Sequence, residues 1–225
     1  MKMFIFSSLF VSFFFLFSAF GQVDDPRSKK IIDDMVVKFN TYPSMSVDFS
    51  MLIENKQDGS ETEQEVKFSV KKDKYKLEVP DFVLYFDGTK NYQYFPPPIN
   101  EVMITIPYPD DDVEDFQLLN PQTYFNLSSK SFRSNLVRET TQDKRSVYEI
   151  DLYPVHIKDA RYSRIRIMVE KSTLQFVYIK VFMNNGIHCT LSFKPYNIFH
   201  TALGDSFFVF NKNEHPNVEV IDLTF

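Results

Sequence analysis

Residues 45–53 read Met45-Ser46-Val47-Asp48-Phe49-Ser50-Met51-Leu52-Ile53, and bulky apolar side chains fall at every second position. Successive side chains of a strand point to opposite faces, so this spacing predicts a strand with one buried face. The pattern continues outward. Val66, Phe68 and Val70 alternate, then Tyr75, Leu77 and Val79, and the two runs are separated from the first by the turn signal Asp58-Gly59. Phe82–Phe86 ends at Asp87-Gly88, a hairpin signal, and Tyr92, Tyr94 and then Val102, Ile104 and Ile106 follow. The second half gives strands at 130–139, 146–153, 161–170, 174–183 and 187–194, the last two joined by Asn185-Gly186, then one near 206–210 and a final one from Val218.

Helical spacing occurs in two places. In 28–40, SKKIIDDMVVKFN, Ile31, Ile32, Met35, Val36 and Phe39 fill one stripe, with Ser28 as the expected cap. Asn120-Pro121 opens a second short helix at 118–128, with Leu118, Leu119, Tyr124, Phe125 and Leu127 on its apolar side. Roughly ten strands in hairpin order predict one antiparallel meander, curled into a barrel or a strongly bent sheet. The fold class expected is mainly β (α+β).

The N-terminus reads as an address. One charge, Lys2, precedes an apolar run from Phe4 to Phe17, and Ala19-Phe20-Gly21 fits a small-x-small cleavage site. The expectation is a signal peptide at 1–21 and a single domain at 22–225. Eight of the 25 Phe lie in the signal, and without Lys2 the remaining 24 basic residues face 30 acidic ones. A chain with that balance and no basic tract is not expected to bind nucleic acid. The lone Cys189 makes no internal disulfide and supplies no lipid-anchor site at the cleavage point.

Catalytic motifs do not emerge. No Gly-x-Ser-x-Gly, His-Glu-x-x-His or phosphate loop occurs, and His156, His188, His200 and His215 are scattered. No enzyme activity, metal or cofactor is expected. The acidic run Asp110, Asp111, Asp112, Glu114, Asp115 lacks the calcium-loop pattern and reads as a solvated loop. Several strands carry bulky residues on both faces, as in 82–86, 176–179 and 181–183. Two explanations stand side by side: a helix packed on a curled sheet, or a concave sheet around an apolar ligand.

In order along the chain, VKFSVKKDKYKL at 66–77, LYFDGTKNYQY at 84–94, IDLYP at 150–154, the paired strands at 161–183, FFVF at 207–210 and PNVEVID at 216–222 resemble the periplasmic lipoprotein carriers of the LolA type. The resemblance implies an incomplete antiparallel β-barrel, a curled half-barrel whose short helices form a lid over an apolar cavity. It implies a periplasmic carrier that takes acylated lipoproteins from an inner-membrane release transporter and hands them to an outer-membrane acceptor, as a monomer without catalysis. The cavity residues expected are Phe49, Met51, Phe68, Val70, Leu84, Ile104, Ile150, Ile167 and Phe182. The lid would be Ile32, Met35 and Val36 with Leu119, Tyr124 and Phe125. The family often has a latching arginine where this chain has Lys72, whose ammonium lacks the planar fork. Three further readings are a binder of another lipid on the same fold, an esterase-like enzyme on a β scaffold, and an assembly protein with an apolar face.

Overall fold

In a computed structural model, residues 24–107, 132–156, 160–199 and 202–224 are described. The expected signal peptide, the helix at 118–128, and with it Leu119, Tyr124 and Phe125, lie outside the described residues, as does the acidic run.

Helix α1 spans Pro26–Phe39. Its cap is Asp25, not Ser28: the Asp25 carboxylate accepts the N–H groups of Arg27 and Ser28, and Pro26 takes the first helical position, where a missing N–H costs nothing. Ser28 is buried one turn in, donating to the Asp25 carbonyl at 2.8 Å and meeting Ser134 Oγ at 2.8 Å.

The strands are β1 (Ser44–Asn55), β2 (Glu61–Lys71), β3 (Lys74–Glu78), β4 (Val83–Phe86), β5 (Asn91–Phe95), β6 (Glu101–Thr105), β7 (Phe132–Gln142), β8 (Arg145–Pro154), β9 (Tyr162–Glu170), β10 (Phe176–Met183), β11 (Ile187–Phe193), β12 (Asn197–Phe199) and β13 (Glu219–Asp222). They form one sheet in the order β13-β6-β5-β4-β3-β2-β1-β11-β10-β9-β8-β7, with β12 beside the start of β1. Among the described residues its two ends do not pair, so it is an open, incomplete barrel of mainly β structure.

Three expectations change. The sheet is not one meander: β1–β6 and β7–β11 are two meanders spliced through the antiparallel pair β1–β11. The last strand, β13, runs parallel to β6. The stretch expected as a strand near 206–210 begins instead as a 3-10 turn, Asp205–Phe208. Its Phe207-Phe208 pair still buries one ring, Phe208, which is why the apolar run imitated a strand.

Register assigns the faces. The inner face carries α1 and the main core; the outer face is opposite. On the outer side of β4–β6, Tyr94, Val102 and Val218 form a second, small core with Tyr85, Tyr92 and Phe210 around it. The chain after Gly204 therefore covers the outer face there, with Phe210 and His215 packed on Tyr94 at 5.1 and 4.2 Å between ring centroids.

Candidate functional site

The inner face is built from apolar rows that run across strands. Met51, Leu191, Ile179, Ile167, Ile150 and Leu136 stand opposite one another from β1 through β11, β10, β9 and β8 to β7. In the other direction Val47, Phe68, Leu77 and Leu84 continue from β1 to β4, and Gln93 and Met103 extend the row to β6. Each row puts one side chain per strand on the same side, so the apolar surface is continuous from β7 across to β4 before it turns polar at Gln93.

Seven of the nine expected cavity residues lie in this core: Phe49, Met51, Phe68, Val70, Leu84, Ile150 and Ile167. The other two are corrections. Ile104 stands opposite Tyr92, on the outer face beside the small second core; the β6 residue on the inner face is Met103. Phe182 stands opposite His188 and Arg164, also on the outer face; Val181, opposite Cys189 and Ile165, takes the inner position. In both strands apolar residues occupy both parities, so alternation alone did not choose the face.

Helix α1 closes over this surface. Ile31, Ile32, Met35 and Phe39 are buried in the same core, and Val36 packs at its margin. The Phe39 ring lies 5.7 Å from that of Phe176 and 6.0 Å from that of Tyr196, whose hydroxyl accepts the Phe176 N–H. Burial pushes the Tyr196 phenol well above its ordinary pKa, and burial likewise pushes the Cys189 thiol up to about 12. These are groups held neutral in an apolar interior.

The two ends of α1 are held differently. At the N-terminus the bonds are polar: Asp25 N–H donates to the Ser134 carbonyl at 2.9 Å, and Ser134 N–H and Leu136 N–H donate to the carboxylates of Asp24 and Asp25. Burial raises the Asp25 pKa, but the N–H groups of Arg27, Leu136 and Ser28 outweigh it and hold the carboxyl below its ordinary value. At the C-terminal end Phe39 is held by ring packing, with a non-directional energy that rearrangement costs little.

The inner face is filled by the protein's own side chains: Phe49, Phe68, Ile150, Ile167 and Met35 are inaccessible to solvent. A ligand could enter here only by displacing α1 or part of the lining. Met35, Met45 and Met51 contribute three unbranched, adaptable side chains to that lining. An open groove of about 270 Å³, bordered by Ser50, Glu65, Arg145, Tyr178 and Ser192, has a polar rim and lies outside this face.

Lys72 is exposed in the β2–β3 turn, at φ 56°. Its neighbours fasten the C-terminal segment. Lys71 Nζ donates to the Leu203 carbonyl at 2.7 Å and to Asp205 at 2.6 Å, and Lys74 approaches the other Asp205 oxygen at 3.0 Å. Lys71 and Lys74 together hold the Asp205 carboxyl down to about 2. The pairing of a basic turn with a distant Asp carried no signal in the sequence.

No family model and no curated protein matches the sequence. Solved structures do match. A conserved protein from Thermus thermophilus superposes with a TM-score of 0.52 at 8% identity, over 86% of this chain and 98% of that one. An outer membrane lipoprotein-sorting protein domain from Vibrio parahaemolyticus gives 0.43 at 12%, over 84% and 97%. A LolA superfamily protein from Nitrosomonas europaea gives 0.41 at 11%, over 81% and 97%. At such identities the likeness is one of fold alone, and lipoprotein-sorting and LolA superfamily proteins stand among the structural neighbours of this open, helix-capped sheet.

Proposed function

We propose that the protein is an exported, periplasmic carrier, without catalysis of its own, that shields the acyl chains of lipoproteins between an inner-membrane release transporter and an outer-membrane acceptor. The observation that carries this reading is the continuous apolar inner face with helix α1 over it, anchored by polar bonds at one end and by ring packing at the other. A triacyl anchor exposes dozens of methylenes, each costing about 0.8 kcal/mol in water. A carrier must cover that surface and still give it up. Displacing α1 uncovers Phe176 and Tyr196 in the core, and acyl chains then take over the burial that Ile32, Met35 and Phe39 provide in the closed form. The filled interior is the resting state on this reading, because an apolar chamber left open would draw the wrong ligand. Lys72, which the resemblance matches to a latching arginine, lies beside the Lys71–Asp205–Lys74 clamp.

The test is native mass spectrometry of protein recovered from the envelope of a Gram-negative host. The expected result is a chain starting at Gln22 with acylated polypeptide bound in substoichiometric amount. A free phospholipid or other lipid as the bound species would move the assignment to a general lipid binder. Recovery of bare protein, with no uptake of a fluorescent acyl probe, would overturn the carrier reading.

A further inference from the structure

The outer face at the β7–β10 end has a charge pattern that the core does not require. In one row Asn135, Asp151, Arg166, Lys180 and Thr190 stand opposite one another, and in the next Arg138, Glu149, Met168, Tyr178 and Ser192. Arg133 and Arg164 flank these rows, opposite Tyr153 and Phe182. Four strands here thus place Arg133, Arg138, Arg164, Arg166 and Lys180 on one side, with the carboxylates Glu149 and Asp151 among them and Glu170 at the end of β9.

The two signs sit at different depths. The Glu149 and Asp151 side chains are 1% and 4% exposed, whereas the Arg138 side chain is 63% exposed. Both carboxylates are satisfied from within: Arg138 Nε and Arg166 bind Glu149 at 2.6 and 2.8 Å, and Arg166 Nε and Nη2 bind Asp151 at 2.7 and 2.9 Å, with Arg164 at 3.2 Å. The acids form a floor under Arg138, Arg164 and Arg166, while Lys180 is paired with Glu54 at 2.5 Å. Among the described residues Arg138 bonds through Nε alone and Arg164 through one Nη, which leaves their other donors free, whereas Arg133 Nε is buried and unpartnered and is not one of the available donors. Aromatic rings lie between the cations. The Arg164 guanidinium sits 4.2 Å from the Phe182 ring centroid, Lys180 Nζ 5.7 Å from it, and Tyr178 and Met168 are half-buried beside them.

This occurs in a chain whose net charge is −5. Of the other acids on this face, Glu54 on β1 reaches across β11 to Lys180, and Glu61, Glu63 and Glu65 lie farther off on β2. With strands about 4.8 Å apart, the cationic area is about 14 Å wide, enough to meet several headgroups at once. Guanidinium forks suit phosphate oxygens, and rings interleaved with cations suit the boundary between headgroup and acyl chain.

We propose that the β7–β10 end of the outer face docks on an anionic phospholipid surface. The dipolar face orients the approach: β7–β10 toward the membrane, β1–β2 away. The proposal rests on charge placement and goes beyond the acyl-carrier reading, whose site is on the opposite face.

The test is flotation of the full protein with vesicles of phosphatidylethanolamine and phosphatidylglycerol at 3:1, against neutral phosphatidylcholine vesicles, at low salt and at 0.3 M salt. Binding should be confined to the anionic vesicles and should fade at high salt as screening shortens. Arg138→Gln, which keeps a donor for Glu149, should weaken binding about fivefold, and Asn135→Lys, at an exposed position that breaks no ion pair, should strengthen it about fivefold. Both variants should take up an acyl probe like the parent, which separates failure here from failure of the carrier reading. Equal binding to neutral vesicles, or affinities that ignore both substitutions, would overturn the proposal. So would binding of polyglutamate without binding of vesicles, which would assign the patch to an acidic protein.

Discussion

Met35→Ala tests whether α1 is a separable cover. Met35 is inaccessible to solvent and sits between the helix and the apolar rows of the sheet. Truncation removes three heavy atoms beyond Cβ, worth roughly 2.5 kcal/mol at ~0.8 kcal/mol each, within the ~2–5 kcal/mol seen for buried Met→Ala changes. If α1 lifts while the sheet stays folded, the whole loss falls on that opening. At tenfold per ~1.4 kcal/mol, the open population rises roughly 60-fold. Amide hydrogen exchange resolves this by segment. Protection across residues 31–39 should fall by about that factor, while the amides of β8–β10 keep their parent rates, and acyl-probe uptake should accelerate. Ile167→Ala, an equally buried truncation in β9, should instead lower protection of strands and helix together. If Met35→Ala also accelerated exchange in α1 and in β8–β10 by the same factor, the helix would be an inseparable part of one cooperative core. The displacement mechanism would then be wrong.

The Glu54 carboxyl is held down to about 2 by hydrogen bonds from Lys180 and Lys56, against burial, which raises it. A depressed carboxylate stabilises the fold fully above its unfolded pKa, and that contribution is lost as pH falls through about 2. Glu54→Gln should therefore cost about 1–2 kcal/mol at pH 7, after discounting for the partly exposed Lys56, and the gap to the parent should narrow in urea titrations between pH 4.5 and pH 2; a constant gap would refute the ion pair. Cys189, 1% exposed and pushed up to about 12 by burial, should resist iodoacetamide at pH 8 in the native protein and react once in urea. Stoichiometric labelling of the native protein within minutes would contradict its place in the inner row with Ile53 and Val181.

Much of the site was legible because strands advertise a buried face when only one face is buried. β1 does so: Ser46, Asp48 and Ser50 alternate with Val47, Phe49 and Met51, and the latter are the core. The signal fails where both faces are covered. Val102-Met103-Ile104 has an outer core on one side and the inner row on the other, and Val181-Phe182-Met183 sets an aromatic ring under Arg164. There the face is decided by the partner strand's register, which is a property of the pair. The splice of β1 to β11 was illegible for the same reason, since the two strands are more than 130 residues apart. The 3-10 turn at Asp205–Phe208 escaped because it is fixed from outside, by Lys71 and Lys74. The apolar stripe points to Ser28 as the cap, but Asp25 before Pro26 pairs the stronger acceptor with a ready-made first turn.

An open sheet has two raw edges, and a raw edge is a template on which a second chain can crystallise as one more strand. Asp24 and Asp25 bear on this. Their carboxylates occupy the outward N–H groups of Ser134 and Leu136, and the Asp25 N–H occupies the Ser134 carbonyl, so this stretch of β7 offers nothing to an incoming strand. The opposite edge is defended by brevity and charge: β13 is four residues long and carries Glu219 and Asp222. The N-terminal seal lies at the pivot of α1 and not at its Phe39 end. If α1 swings about its N-terminal end, as the carrier reading requires, the edge stays plugged, and the interior would open without the molecule at the same moment becoming adhesive to its own copies.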